Sequence, residues 1–222
     1  MTKMCPKNVE CFYCHQESEQ IYMASSNAMG SQDLDFRFPE MYRSTMYSWL
    51  ETCPHCHFIS HDISEKSIGF ENISVARYMS TLANPDFPEL ARTFLAYALL
   101  MEQENPESAG YAQLHAAWVC DDEELSKQAL ECRTNAIQTL MPCSCNTGEE
   151  REIQNHLIVI DMLRRSGRFE QAAKLLDNLI AINDFPDYRD DVCHFQQSLI
   201  SRKDAGTYTI DDAFNRSQIK FN

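Results

Sequence analysis

Apolar residues follow two different rules along this chain. Up to about residue 60 they come in short runs and alternations, and from about residue 73 they recur at helical spacing. In the first stretch Ile21-Tyr22-Met23 reads as a short strand. Asp33-Leu34-Asp35-Phe36-Arg37-Phe38 alternates without a fault, which predicts a strand with Leu34, Phe36 and Phe38 on one face and Asp33, Asp35 and Arg37 on the other. Residues 60–72 read as a connector.

The helical part opens at Asn84-Pro85-Asp86, with Asp86 as N-cap and Glu89 three residues on. Phe87, Leu90, Ala91, Phe94, Leu95, Ala98 and Leu99 then form one stripe. Pro106 starts a second helix faced by Tyr111, Leu114 and Trp118. Asp121 and Asp122 start a third, with Leu125, Ala129, Cys132, Ala136, Ile137 and Leu140 inward. Met141 to Gly148 breaks the pattern as a loop. A fourth helix covers roughly 150–166 and ends on Gly167, and a fifth buries Phe169, Ala172, Ala173, Leu176, Leu179 and Ile180 before Pro186. Residues 153–186, a helix–Gly–helix unit, look like a tetratricopeptide hairpin. The pattern divides the chain into a head over 1–60, a helical-hairpin body over 73–203 and a polar, loosely held tail over 204–222. The expected fold is mainly α: a small zinc-knuckle or ribbon head with short β-strands, followed by antiparallel, tetratricopeptide-like helical hairpins.

Composition narrows the function classes. The 222 residues are 44% hydrophobic and 23% charged, with a net charge of −14. A polyanion is repelled by nucleic-acid phosphates and anionic lipid unless basic residues segregate, and the densest basic spot is only Arg164, Arg165 and Arg168. Neither nucleic acid nor membrane is therefore expected as a partner. No apolar run approaches the ~20 residues that span a bilayer, and Met1 to Pro6 lacks the apolar core of a signal peptide. A cytoplasmic location is expected. In that reducing setting ten cysteines, about half the density of a disulfide scaffold, read as metal ligands or redox groups.

The pairs Cys11-Phe12-Tyr13-Cys14 and Cys53-Pro54-His55-Cys56 have the spacing with which two tight turns complete a tetrahedron of thiolates around Zn²⁺. The loop between them exceeds the usual ~15–20 residues. Doubling a loop adds only ~0.6 kcal/mol of closure entropy, against ~10–16 kcal/mol for structural zinc. One Zn²⁺ per chain is expected. His15, His55 and His57 read as surface residues of the turns rather than ligands.

With Asp33-Leu34-Asp35, Tyr42 and Trp49 between the cysteine pairs, the sequence is similar to an uncharacterised bacterial family known as domain of unknown function 2225. Leu114-His115-Ala116-Ala117-Trp118 and Leu163-Arg164-Arg165-Ser166-Gly167 resemble that family's helical tail. The resemblance covers most of the chain and implies a zinc-binding head with a tetratricopeptide-like body, but no activity. Family members usually have Gly after the second Cys of a pair, where this chain has His15 and His57. If φ > 0 is required there, His tolerates it better than most residues.

Three further groups stand out. Asp33, Asp35 and Arg37 on one strand face form a surface for a ligand or partner, or a solvated face whose charges balance locally. Cys143 and Cys145, with Cys120, Cys132, Cys193 and His194, could form a second metal or redox site, although Cys120 and Cys132 occupy helical positions where a thiol packs as a small hydrophobe. Trp118, Tyr111 and Tyr97 read as core aromatics. No Gly-rich phosphate loop, Ser-His-Asp set or HExxH motif is present. The expected function is a zinc-stabilised interaction or adaptor module for a protein or peptide partner, without catalysis. A zinc enzyme with an open coordination position and a thiol-based redox sensor are the alternatives.

Overall fold

The computed structural model describes residues 2–143, 150–182 and 188–219, leaving aside the side chains of 143, 188 and 216–219. The chain is mainly helical. Short antiparallel β-hairpins and a four-cysteine cluster occupy the N-terminal part, and packed helix pairs follow.

Strand β1 (Lys3–Glu10) pairs with β2 (Glu17–Ser25), in register from Met4↔Met23 to Glu10↔Glu17. Strand β3 (Glu51–Thr52) pairs with β4 (Ile59–Ser60), closing at Thr52↔Ile59. Ile21-Tyr22-Met23 lies within β2, as the sequence suggests, but β1 carries Pro6 and gives no clear alternation. Proline is tolerated there because a two-stranded sheet leaves each strand an edge. The hairpins are tied by Gln20, whose Nε2 donates to Thr52 O (3.1 Å) and whose Oε1 accepts from Thr52 N–H (3.3 Å). Lys7 Nζ also meets the buried Glu51 carboxylate at 2.5 Å.

Between the hairpins lies a short helix α1 (Glu40–Arg43), and the connector after them holds α2 (Ile68–Asn72). Next come α3 (Val75–Leu82), α4 (Glu89–Glu104), α5 (Pro106–Asp122) and α6 (Ser126–Leu140). Helices α7 (Glu150–Arg165), α8 (Phe169–Ile182), α9 (Tyr188–Ser201) and α10 (Ile210–Ile219) complete the chain. Pro106 opens α5 as expected, with Asn105 as its cap: Oδ1 accepts from Ser108 N–H at 3.1 Å. Gly167, at φ +72°, ends α7 with Arg168 N–H donating to Leu163 O and Gly167 N–H to Arg164 O.

Several expectations are corrected. Asp86 does not cap α4, because Asn84 Oδ1 takes the Asp86 N–H (3.0 Å) in a local turn and the helix begins after Pro88. Asp121 and Asp122 end α5 rather than start α6. Glu124 at φ +58° closes α5, with Leu125 N–H donating to Cys120 O at 2.8 Å. Ile180, expected inside, is 38% exposed. The stretch after 204 is not loosely held, since it forms α10 on α9 and buries Ala213. Pro186, Ser144, Cys145 and the side chain of Cys143 lie outside the described residues.

Contacts gather into two compact units, residues 1–29 with 40–136 and residues 30–39 with 137–222. These boundaries differ from a cut between head and helices. In the first unit α2 and α3 pack on α4, and α4 packs along α5; in the second, α7 to α10 pack in sequence. The 33–38 segment belongs to the second unit, and it is a turn rather than a strand. Phe36 sits at φ +61° with its N–H on Asp33 O, Asp33 N–H meets Arg37 O, and Leu34 N–H meets Tyr208 O. A left-handed residue in mid-segment removes the two-faced geometry that alternation implies. Asp33, Asp35 and Arg37 are consequently buried, at 6%, 1% and 5% exposure, and Asp35 Oδ2 pairs with Arg165 Nη1 at 3.2 Å.

Candidate metal centre

Each cysteine pair forms the tip of a hairpin, and the two tips repeat one geometry. In the first, Cys11 N–H donates to Gln16 O (3.1 Å) and His15 N–H to Cys11 O (2.9 Å). In the second, Cys53 N–H donates to Phe58 O (2.8 Å) and His57 N–H to Cys53 O (2.9 Å). The residue after the second cysteine is left-handed in both, His15 at φ +54° and His57 at φ +62°. This is the position where the resembled family has Gly, and it shows why: the chain must reverse within one residue to return to the strand.

The tips bring four sulfurs together. Cys11 Sγ lies 3.6 Å from Cys56 Sγ, Cys14 Sγ lies 3.5 Å from Cys53 Sγ, and all four are within 4.8 Å of one another. A disulfide would hold sulfurs at ~2.05 Å, so these are thiols. A tetrahedral ion with metal–sulfur bonds of ~2.3 Å needs sulfurs ~3.8 Å apart. The donors fit one thiophilic metal ion with little movement. Cys11 and Cys53 are fully buried, whereas Cys14 and Cys56 are half-buried.

The thiols titrate as a group. Burial pushes the Cys53 thiol up, but backbone hydrogen bonds at Cys56 and His55 and the thiols of Cys14 and Cys56 outweigh it and bring it down to about 7. Cys56 moves the other way: burial raises it and the neighbouring sulfurs add to that, against the amide of Phe58. Once one thiolate forms, the next is opposed. Four thiolates at this spacing require a cation among them.

The knuckles are bonded to the helices that follow. Tyr13, inside the first, donates its hydroxyl to Ser67 O (2.5 Å) and accepts from Ser67 N–H (2.9 Å) just ahead of α2. Tyr78 on α3 donates to His57 O (2.8 Å), the carbonyl of the left-handed residue. Tyr13, Phe58, Phe70 and Tyr78 link as a chain of ring contacts at 4.8–5.8 Å. Nothing in the cysteine spacing announces these tyrosines.

The remaining candidate residues are elsewhere. His55 and His57 are exposed and not within the sulfur cluster, and His15 Nδ1 faces Glu10 at 3.3 Å. Cys120 and Cys132 are buried neighbours on α5 and α6, coupled thiol to thiol. Among the described residues no second group of three or more metal-ligating side chains forms. No helix among them is long and apolar enough to cross a membrane. Comparisons with family models, curated proteins and solved structures find no match to the chain.

Proposed function

We propose that the four cysteines hold one structural Zn²⁺ and that the protein is a zinc-stabilised interaction module, cytoplasmic and without catalysis. The observation carrying this reading is the closed donor set: two like hairpin tips supply four sulfurs and leave no coordination position for water. An all-sulfur tetrahedron suits Zn²⁺ among abundant ions, with iron as its rival. The resemblance to domain of unknown function 2225 is proposed on the same cysteine and helix motifs and points to the same architecture. Helix pairs such as α4–α5 and α7–α8 offer grooves to a protein or peptide.

The absence of a nucleic-acid partner is part of the proposal. It is supported by the net charge of −14 and by the densest basic spot, of which the Arg164 side chain is fully buried and Arg165 is paired with Asp35. A redox-sensor role is the second reading, favoured by the half-buried Cys14 and Cys56, which an oxidant could reach.

Elemental analysis of protein purified without added metal tests the centre. One zinc per chain supports the proposal, and a ratio near zero with four free thiols contradicts it. One iron, with visible thiolate-to-metal absorption, would replace the metal's identity. Zinc release and disulfide formation under mild peroxide, reversed by reductant, would move the reading to a redox sensor.

A further inference from the structure

Within the first unit a cavity of about 100 Å³ lies between the segments flanking β3–β4 and the α4–α5 pair. Rings form most of its wall: Trp49, Phe94, Tyr97 and Tyr111, with the imidazoles of His61 and His115. They stand at steep angles. Trp49 meets Phe94 at 75° and 6.4 Å, Trp49 meets His115 at 74° and 5.1 Å, and His61 meets Tyr97 at 72° and 5.2 Å.

Core aromatics also pack edge to face, so the angles alone decide nothing. What separates this group from a plain core is the open volume and the exposure of its rim. Trp49, Tyr111 and His115 are half-buried and His61 is exposed, while Phe94 and Tyr97 are buried. The volume is well below the ~300–1,000 Å³ of a drug-sized site. It equals the share of about three waters, room for a headgroup of four or five heavy atoms.

The lining also selects by charge. None of the residues around the cavity is Lys, Arg, Asp or Glu, so a small anion meets no counter-charge there. A primary ammonium carries three N–H donors that want acceptors, and the wall offers mainly rings. A trimethylammonium group has the charge without the donors, and the faces of Trp, Tyr and Phe attract it directly. The net charge of −14 draws cations toward the molecule from solution. We propose that this cavity binds a trimethylammonium headgroup, on a small free molecule or on a methylated lysine side chain.

The test compares choline with 3,3-dimethyl-1-butanol, which has the same shape and no charge, at constant ionic strength. Isothermal titration gives affinity, and tryptophan fluorescence reports the site because Trp49 is half-buried and the other tryptophan, Trp118, is only 3% exposed. The expected result is saturable choline binding, with the neutral analogue weaker by about tenfold. Equal affinity for the two, or no saturable change with either, overturns the proposal. Acetylated trimethyl-lysine amide, run in parallel, identifies the source: tighter binding than choline assigns the modified side chain, weaker binding the free molecule. Trp49→Leu should weaken choline by about 2- to 30-fold and Trp49→Phe should retain it. Where Trp49→Leu fails to fold, Tyr111→Leu at the rim replaces it, and unchanged affinity in the folded variant overturns the site. The metal ratio is measured in every sample, so loss of the metal centre and failure of the cavity are told apart.

Discussion

The first unit gathers four thiols at two hairpin tips and hangs α2 and α3 from them through Tyr13 and Tyr78. The second unit contains no such cluster among its described residues and instead buries charge. Arg164, with no exposed surface, gives Nη2 and Nε to Asp161 Oδ1 (2.7 and 3.2 Å), Nε also to Gln196 Oε1 (3.1 Å) and Nη1 to Asp204 O (2.6 Å). Gln196 Nε2 completes the Asp161 carboxylate at 3.0 Å, and Arg165 pairs with Asp35. Both arrangements bring together groups that repel or resist burial unless every partner is present. They differ in where the missing charge comes from: the thiols need an ion from solution, whereas Arg164 finds its counter-charge on its own helix. The first unit's stability should therefore depend on metal and the second's should not.

The largest effect expected follows from Cys53→Ser. Structural zinc contributes ~10–16 kcal/mol near neutral pH, and one oxygen in place of a fully buried sulfur removes most of it. Elemental analysis should show the ion lost, and thermal unfolding should show a low-temperature transition absent from the wild type. Arg164→Met comes next. It leaves the Asp161 carboxylate buried without its cation, a change that typically costs ~3–5 kcal/mol. It should lower the denaturant midpoint without altering the metal ratio.

Gly69→Ala should cost about 1–3 kcal/mol, because a Cβ there would lie 1.9 Å from Leu100 O and α2 would have to lift off α4. Tyr78→Phe removes the hydrogen bond to His57 O, a loss of about 1 kcal/mol. It should speed metal release to a chelator by about fivefold while leaving the zinc ratio at one.

The smallest effect concerns pH. The Gly206 N–H, then the Tyr208 hydroxyl, and then the guanidiniums of Arg164 and Arg202 hold the Asp204 carboxyl below its ordinary value, against burial. A depressed folded value means this stabilisation is present above the unfolded pKa of ~3.9 and is lost as pH falls through the folded one. Asp204→Asn should lower stability at neutral pH and flatten the acid limb of the melting temperature.

The parts of this architecture that were legible in the sequence are those specified locally. The stripes of α4 and α5, the proline at the start of α5 and Gly167 after α7 each depend on residues a few positions apart. The cysteine spacing likewise identified the sulfur cluster, because a CxxC turn prepares half a tetrahedron by itself. What escaped depends on distant partners. Leu34, Phe36 and Phe38 alternate like a strand, but contact with Tyr208 and the left-handed Phe36 turn the segment into a buried loop. Arg164 read as part of a basic spot because Gln196 and Asp204, which hold it inside, lie 32 and 40 residues away. The strand β1 was hidden by Pro6, and Glu124 was not recognised as a cap because a left-handed Glu leaves no compositional mark.

Hydrogen exchange with mass spectrometry, on the wild-type protein before and after chelation, tests most directly whether metal organises the first unit alone. A metal-organised first unit predicts that chelation removes protection from peptides covering β1–β4, α2 and α3, while peptides from α7 to α9 exchange as before. Loss of protection throughout α7–α9, or no change in the hairpins after the ion is gone, would contradict it.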